Sequence, residues 1–120
     1  MRGKQMKYTM QTVSKIIGEC NDVYKRAIAE NLKIWSNPDG SLKPDCCGYG
    51  WVEFTDKRGG FARALKRYNQ SHGKVGRDYD LGLEYFGGQE ATINQNSIKA
   101  VCKFLQEKYG IDCYAYTWID

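Results

Sequence analysis

Hydrophobic positions in the first third of the chain recur at the spacing of an amphipathic helix. Between Thr9 and about Leu32 the apolar residues step by three and four, which gathers them on one face of a helix. Gly18 weakens the middle of this segment by about 1 kcal/mol relative to alanine, so the pattern allows one long helix or two consecutive helices. The positions that carry the pattern are Met10, Val13, Ile17, Cys20, Tyr24 and Ala27.

The length of this helical region bears on assembly. A single helix over the whole segment would measure roughly 35 Å, which exceeds the packing surface of a compact domain of this size. Part of its apolar face would then need another subunit, so the pattern favours a homo-oligomer. A break at Gly18 would remove that need.

Two later segments alternate as strands do, with a helix between them. The alternation predicts β-strands over Gly48–Thr55 and Tyr79–Phe86. Between them, the Gly59-Gly60 pair opens a helix that has one apolar side and one basic side. The apolar side consists of Phe61, Ala64, Leu65 and Tyr68, and the basic side of Arg63, Lys66 and Arg67.

The last third of the chain predicts a helix followed by a strand. Apolar residues from Ser97 to Tyr109 fall at helical spacing, and Asn96 or Ser97 can cap the first turn through a side-chain oxygen. Gly110 is expected to end this helix, because glycine enters the left-handed conformation at low cost. The strand that follows, from Cys113 to Trp118, alternates small and aromatic residues.

The aromatic face of that final strand has two interpretations. Tyr114, Tyr116 and Trp118 lie on the face opposite the small residues. They form a second core layer under another helix, or they form a platform for a purine base or a partner chain. The alternation itself does not decide between the two.

Together these elements predict one α+β domain over residues 1–120. We expect a small mixed or antiparallel sheet of three to four strands, with an N-terminal helical region and two further helices packed on it. No apolar run reaches about 18 residues, so no membrane-spanning segment is expected. The basic N-terminus is not followed by the apolar stretch of a signal peptide, which indicates a cytoplasmic protein.

The cysteines do not form a metal-binding pattern. The chain has five cysteines and one histidine, and no C-x-x-C pair, so the ligand spacing of a zinc site is missing. Cys20, Cys102 and Cys113 fall on apolar faces and are expected in the core, whereas Cys46 and Cys47 lie in a loop. We expect neither a metal nor a cofactor.

Positive charge is concentrated in one segment. Residues 57–77 contain seven basic and no acidic residues, while the rest of the chain has a net charge of −3. An anionic partner would bind there, unless the charge serves only to solvate a helix face. At the start of this segment, Arg58 offers a guanidinium fork and Gly59 and Gly60 offer main-chain N–H groups at a helix N-terminus, which together suit a phosphate.

A second group of candidate binding residues surrounds the Gly87-Gly88 pair. Phe86 supplies a flat apolar surface, and Asn94 and Asn96 supply amides that donate and accept hydrogen bonds at once. Recognition of a nucleobase or ribose needs that combination. The alternative is that the asparagines only turn the loop and cap the helix.

No catalytic constellation is recognisable. No serine, cysteine or threonine stands beside a base and an orienting residue, and no carboxylate pair stands out. His72, the single histidine, lies among loop residues. The chain is therefore expected to bind a ligand rather than to act as an enzyme.

The order of elements resembles a family of phage proteins. The stretches that carry the likeness are Gly-Trp-Val-Glu-Phe, Arg-Gly-Gly-Phe-Ala-Arg-Ala-Leu-Lys, Tyr-Asp-Leu-Gly-Leu-Glu-Tyr-Phe, an Asn-rich helix start, and Lys-Tyr-Gly-Ile before the last strand. From about Tyr8 onward the chain is similar to the first described Thoeris anti-defence family. Members of that family are oligomeric sponges that sequester cyclic ADP-ribose signals without cleaving them.

The resemblance implies a binding pocket between subunits. The family uses an aromatic residue and an asparagine ten positions later, which Phe86 and Asn96 match. Phe86 would then stack on the base and Asn96 would hydrogen-bond the base or ribose, and the protein would act in the host cell cytoplasm. The main alternative is a phage inhibitor of the anti-CRISPR kind, which binds a host protein or nucleic acid through the basic 57–77 surface.

Overall fold

The computed structural model of the protein describes residues 7–119, which form three helices and a two-stranded antiparallel sheet. The α+β class is confirmed, and the sheet has fewer strands within this range than the expected three to four. In chain order the elements are α1 (Met10–Ile34), β1 (Gly48–Phe54), α2 (Gly60–Ser71), α3 (Ala91–Tyr109) and β2 (Cys113–Ile119).

α1 is one continuous helix of 25 residues. Thr9 caps its first turn by accepting the N–H of Thr12 at 3.1 Å. The helix continues through Gly18 because burial of the apolar face on both sides of that glycine outweighs its low helix propensity. That face is buried from Val13 to Ile28 against the rest of the chain, chiefly α3. The length of α1 therefore gives no reason to expect a partner subunit.

The start of α3 differs from the prediction. The helix begins at Ala91, so Asn96 and Ser97 lie inside it and neither is its cap. The first turn is capped from a distant loop instead, because the Asp45 carboxylate accepts the N–H of Thr92 at 2.7 Å. Complete burial of Ile93 also favours the longer helix. Tertiary contacts, which local sequence does not reveal, set this boundary.

The end of α3 confirms the prediction. Gly110 adopts the left-handed conformation with φ of 62°. The N–H groups of Gly110 and Ile111 return to the carbonyls of Gln106 and Leu105. Because this ending depends only on a glycine and the apolar residue behind it, it was readable from local sequence.

β1 and β2 pair along their full length, with Gly48 opposite Ile119 and Phe54 opposite Cys113. α3 packs on one face of the sheet. Side chains that point to that face, such as those of Val52, Phe54 and Cys113, are buried.

The strand predicted over Tyr79–Phe86 is wrong, because this segment has no regular secondary structure. The side chain of Asn21 supplies hydrogen bonds that a neighbouring strand would otherwise supply. Its Nδ2 donates to the Gly82 carbonyl at 3.2 Å, and its Oδ1 accepts the N–H of Glu84 at 2.8 Å. A side-chain amide thus satisfies main-chain groups that a strand would otherwise pair.

Asn69 anchors the beginning of the same segment. It is completely buried on α2, and its Nδ2 lies 2.9–3.1 Å from the carbonyl oxygens of Arg77, Asp78 and Asp80. These contacts, together with the buried side chains of Leu81 and Leu83, hold the segment on the core without a strand pairing.

Three of the five cysteines are core residues, as predicted. Cys20, Cys102 and Cys113 are buried on α1, α3 and β2, whereas Cys46 and Cys47 are exposed before β1. Burial raises the pKa of the Cys20 thiol to about 12. Within residues 7–119, no helix combines the length and the apolar character needed to cross a membrane.

Candidate functional site

A basic groove of about 340 Å³ runs along α2. α2 presents Arg63, Lys66 and Arg67 on one face because residues three and four apart are neighbours on a helix. Several cations can therefore reach one anion. The lining residues are Lys57, Arg58, Arg63, Lys66, Arg67, Gln70 and Tyr79.

The five cations of the groove differ in how far they are neutralised. Lys57 pairs with Glu53, and the Arg58 Nε lies 3.7 Å from the Asp56 carboxylate. In the described part of the chain, the other three cations have no carboxylate oxygen within 4 Å. The uncompensated positive charge of the groove therefore belongs to Arg63, Lys66 and Arg67.

Glu53 connects the groove to the sheet. Its carboxylate accepts hydrogen bonds from Lys57 Nζ and from the indole Nε1 of Trp51, the latter at 3.0 Å. The bond from Lys57 is the main cause that lowers the pKa of Glu53, and the same bond raises the pKa of Lys57. Both groups are charged at neutral pH, so they hold the Trp51 ring in place at the sheet.

A cleft of about 620 Å³ adjoins the groove, between β1 and the segment from Gly76 to Tyr85. Lys57 and Tyr79 line both depressions, and Lys57 Nζ lies 5.6 Å from the centroid of the Tyr79 ring. The cleft and the groove are therefore adjacent, with Lys57 and Tyr79 at their boundary. The volume of the cleft falls in the range of small-molecule sites.

The walls of the cleft are largely aromatic. Trp51, Tyr79 and Tyr85 contribute rings, and Asp80 contributes a carboxylate. Burial raises the pKa of Tyr85 to about 12, and the charge of Asp80 adds to the shift. The Tyr85 hydroxyl is therefore protonated at neutral pH and able to donate a hydrogen bond.

The residues predicted to hold a phosphate lie at the start of α2. Gly59 is the N-cap and Gly60 the first helical residue. The N–H of Arg58 already donates to the Asp56 carboxylate at 2.9 Å, and the N–H of Gly59 donates to the Asp56 carbonyl at 3.0 Å. One of the expected donors, the N–H of Gly59, is thus engaged within the turn. The Arg58 side chain, 94% exposed, is the part of this turn that faces the groove.

Asn94, a predicted ligand contact, is buried and bonded within the protein. Its Nδ2 donates to the carbonyl of Gly48 at 2.6 Å and to that of Gly88 at 3.1 Å. These bonds tie α3 and the Gly88 turn to the beginning of β1. The amide nitrogen therefore serves the fold at this position.

Phe86 and Asn96 have different neighbours. Phe86 is half-buried against the core, and its ring lies where a side chain at Gly88 would project. Asn96 is exposed on α3, and its Nδ2 donates to Asn31 Oδ1 on α1 at 3.2 Å.

An aromatic face covers the side of the sheet opposite α3. The rings of Trp51 and Tyr116 stack with centroids 4.6 Å apart, and those of Tyr49 and Trp118 lie 5.6 Å apart. These residues are 36–50% exposed. Within residues 7–119 no helix covers them, so the interpretation of this face as a second core layer is wrong. The full aromatic face comprises Tyr49, Trp51, Tyr114, Tyr116 and Trp118.

Sequence reasoning missed the residues that line the cleft. The alternation predicted strands over Gly48–Thr55 and Tyr79–Phe86, but the cleft exists because Tyr79–Phe86 does not pair with β1. The available signals were the glycine at position 82, which adopts a positive φ of 69°, and the Asp80 and Glu84 side chains, which made one face of the supposed strand polar. His72 is exposed and stacks on Tyr68 with centroids 4.0 Å apart, so it has no place in the site.

Among residues 7–119 there is no group of three or more His, Cys, Asp or Glu side chains that could hold a metal ion. The donors of the cleft and the groove are instead cations, hydroxyl groups and one indole, a set that suits an anionic organic ligand. Comparison with protein-family models, with curated proteins and with solved structures finds no match to this chain.

Proposed function

We propose that this protein binds an adenine-nucleotide signal of the cyclic ADP-ribose type and holds it without cleaving it. The observation that supports this function is that the aromatic cleft adjoins the basic groove at Lys57 and Tyr79. A nucleotide has one flat, largely apolar end and one anionic end. The cleft and the groove together have the same two-part character.

The two parts of the ligand have separate binding surfaces in this proposal. Phosphate groups bind in the groove, where Arg63, Lys66 and Arg67 have no acidic partner among residues 7–119 and offer charge-assisted hydrogen bonds. The base enters the cleft, where Trp51 is already held by Glu53. A ring that is fixed before binding loses little conformational entropy when a base stacks on it.

The absence of cleavage in the proposal rests on the chemistry of the lining residues. Glu53 is bonded to Lys57 and Trp51, which stabilises its ionised form, and Tyr85 is held protonated. The second carboxylate of the lining, Asp80, is also engaged, because it accepts the N–H of Gly82 at 2.9 Å and lies 4.0 Å from Lys74 Nζ. Such a set suits retention of an intact ligand and the interruption of a signalling pathway, which is the role of an anti-defence sponge in a host cytoplasm.

Isothermal titration with cyclic ADP-ribose isomers tests this function. We expect saturable binding by the wild type, and a loss of affinity of tenfold or more in the double variant Arg63→Glu, Arg67→Glu, because two cations become anions. Lys103→Glu, an exposed charge change on α3, is the matched control and should bind as the wild type does.

Further arms of the same titration locate the base. Trp51→Ala should weaken binding if the base lies in the cleft, whereas Phe86→Ala and Asn96→Ala should do so if the contacts implied by the family resemblance hold. Ligand recovered after denaturation should have an unchanged mass. Absence of binding to every isomer, or recovery of a hydrolysed product, would contradict the proposal.

We also propose that the protein is a homo-oligomer, and that the aromatic face joins its subunits. Large exposed apolar surfaces mark interaction sites, and tyrosine and tryptophan are enriched in interfaces. Sedimentation should give a mass of at least twice the 13.8 kDa chain. Trp118→Arg should yield monomers. Val75→Arg should not, because Val75 lies outside the aromatic face and is 94% exposed.

A second candidate function is the binding of single-stranded nucleic acid. It is favoured by the aromatic face, which meets the basic groove through Trp51 and Lys57, because such proteins combine stacking rings with a positive groove. Affinity for an oligonucleotide would then fall steeply with salt concentration. Indifference to oligonucleotides at low salt, together with binding of mononucleotides, would exclude this candidate.

A further inference from the structure

The outer edge of β1 carries main-chain groups that point away from β2. In an antiparallel pair, alternate residues direct both N–H and C=O to the partner strand and the others direct both away from it. Thr55 continues the ladder by donating to the Asp112 carbonyl at 3.2 Å, so Tyr49, Trp51 and Glu53 also face β2. The residues that face outward are Gly48, Gly50, Val52 and Phe54.

The contacts of Gly48 support this assignment. Its N–H donates to the Gln89 carbonyl at 2.8 Å, and its carbonyl accepts Asn94 Nδ2 at 2.6 Å. Gln89 and Asn94 both lie outside the β1–β2 pair. The first residue of the outer edge is therefore fully bonded, by groups from the start of α3 and the turn before it.

The next part of the outer edge has no such partners. Within the described range, the main-chain N–H and C=O groups of Val52 and Phe54 make no hydrogen bond. Val52 is 7% exposed and Phe54 is 3% exposed. Buried main-chain groups almost always have a partner, because leaving them without one costs free energy. Because they line the cleft, these four groups can bond to water or to a ligand that enters it.

These groups lie at the wall of the cleft. Four consecutive residues, 51–54, line it, although their side chains alternate between the two faces of the sheet. The part of these four residues that lies on one side of β1 is their main chain. The wall of the cleft is therefore the outer edge of β1. Tyr79, Leu81 and Tyr85 face it from the opposite side.

We infer that the main-chain edge of Val52 and Phe54 binds the hydrogen-bonding edge of the nucleotide base. This inference rests on the proposed function and adds the means of base recognition. Adenine presents a donor, N6–H, next to an acceptor, N1, so the inference applies to signal isomers whose ring is closed at an atom other than N1. The edge of a strand presents a carbonyl and an N–H in the same alternation, so one base satisfies two of the four unpartnered groups.

The surroundings favour a base over other occupants of the cleft. Trp51 and Tyr79 give the apolar surface on which a base stacks, and Lys57 stands where the cleft meets the phosphate-binding groove. A base bonded to Val52 and Phe54 therefore has its phosphates on the side of the three uncompensated cations. A purely apolar ligand would leave the main-chain groups without partners.

Three ligands separate this inference from the proposed function. Titration should show ADP binding at least about tenfold more tightly than 1,N6-etheno-ADP, because the etheno bridge blocks both N1 and N6 while it preserves the rings and phosphates. Inorganic pyrophosphate should bind through the groove alone and more weakly than ADP. Equal affinity for ADP and etheno-ADP would overturn the inference and leave the proposed function standing. No binding of any of the three would also overturn the inference, whereas the proposed function is decided by the titration with cyclic ADP-ribose isomers.

The main chain can also be observed directly. In 15N-labelled protein, one of the two amide signals, that of Val52 or that of Phe54, should move downfield on addition of ADP and become protected from hydrogen exchange, because N1 of the base accepts a single N–H. The amide of Trp51, bonded within the ladder, and that of Gly48, bonded to Gln89, are the internal controls and should change little. If ADP binds while the Val52 and Phe54 amides keep their shifts and exchange rates, the base lies elsewhere.

Discussion

β1 has two neighbours that are held in different ways. β2 lies against one edge and shares a continuous hydrogen-bond ladder with it, whereas the segment Tyr79–Phe86 stands away from the other edge across the cleft. That segment takes its hydrogen bonds from the side chains of Asn21 and Asn69 instead. The difference shows how two side-chain amides can hold a segment near a strand and still leave the strand edge open.

The largest effect is expected from Asn69→Asp, which removes the amide that holds the beginning of the segment Tyr79–Phe86 on α2. A carboxylate would then face the three carbonyl oxygens that Asn69 Nδ2 now contacts, in a completely buried position. We expect unfolding free energy to fall by about 3–5 kcal/mol in urea titrations. Gln70→Glu, the exposed neighbour, should change it little. A loss in Asn69→Asp no larger than in that control would contradict the anchoring role.

Gly48→Ala tests the outer-edge residue of β1 whose main-chain N–H and C=O are both hydrogen-bonded. An added Cβ would lie 2.6 Å from the Cβ of Ala91 and 3.0 Å from the carbonyl oxygen of Trp118. We expect a loss of about 1–3 kcal/mol in thermal or urea unfolding. The matched control is Gly18→Ala inside α1, where an added Cβ meets nothing within 4 Å. That variant should gain about 0.5–1 kcal/mol, and a loss there would contradict the reasoning.

Asn21→Ala should loosen the segment without unfolding the protein. It removes the bonds to Gly82 and Glu84, at a cost of about 1–2 kcal/mol. Hydrogen exchange of the Glu84 amide should become faster, while amides within β2 keep their protection. Asp22→Ala, a change at an exposed neighbour on α1, is the control. Unchanged exchange at Glu84 would mean that apolar burial alone holds the segment.

Acid should affect the cleft side of β1 through Glu53. The folded-state pKa of Glu53 is lowered from 4.5, first by the bond from Lys57. Its contribution to stability is therefore complete above about pH 4.5 and is lost as the pH falls through the folded-state pKa. The pair is partly exposed, so we expect its contribution to the free energy of unfolding to be less than about 1 kcal/mol. The protonation of Glu53 releases the Trp51 indole and should be detected as a change in Trp51 fluorescence. Glu53→Gln should remove that step, and a step that survives in it would implicate another group.

Features that depend on local sequence were predictable. The end of α3 at Gly110 follows from one glycine, and the two faces of β2 follow from its period of two. The start of α3 was not predictable, because its first turn is capped by Asp45 from a distant loop.

The candidate site was only partly predictable, for the same reason. The charge run located the groove and Arg58, since charge composition needs no tertiary information. Leu81 and Leu83, two apolar positions of the alternating segment Tyr79–Phe86, are buried. The alternation could not reveal that Asn21 and Asn69 would replace a strand partner, and the cleft with Trp51 on its wall depends on that replacement.

The placement of the cysteines allows unfolding of the core to be measured by chemical labelling, because three cysteines are buried and two are exposed. An alkylating reagent should modify Cys46 and Cys47 in the folded state, whereas Cys20, Cys102 and Cys113, one on each of three elements that meet in the core, should react only when the core separates. Mass spectrometry would then read the number of labels as two or five. In a population with intermediate numbers, peptide mapping of the labelled cysteine would identify which of α1, α3 or β2 detaches first.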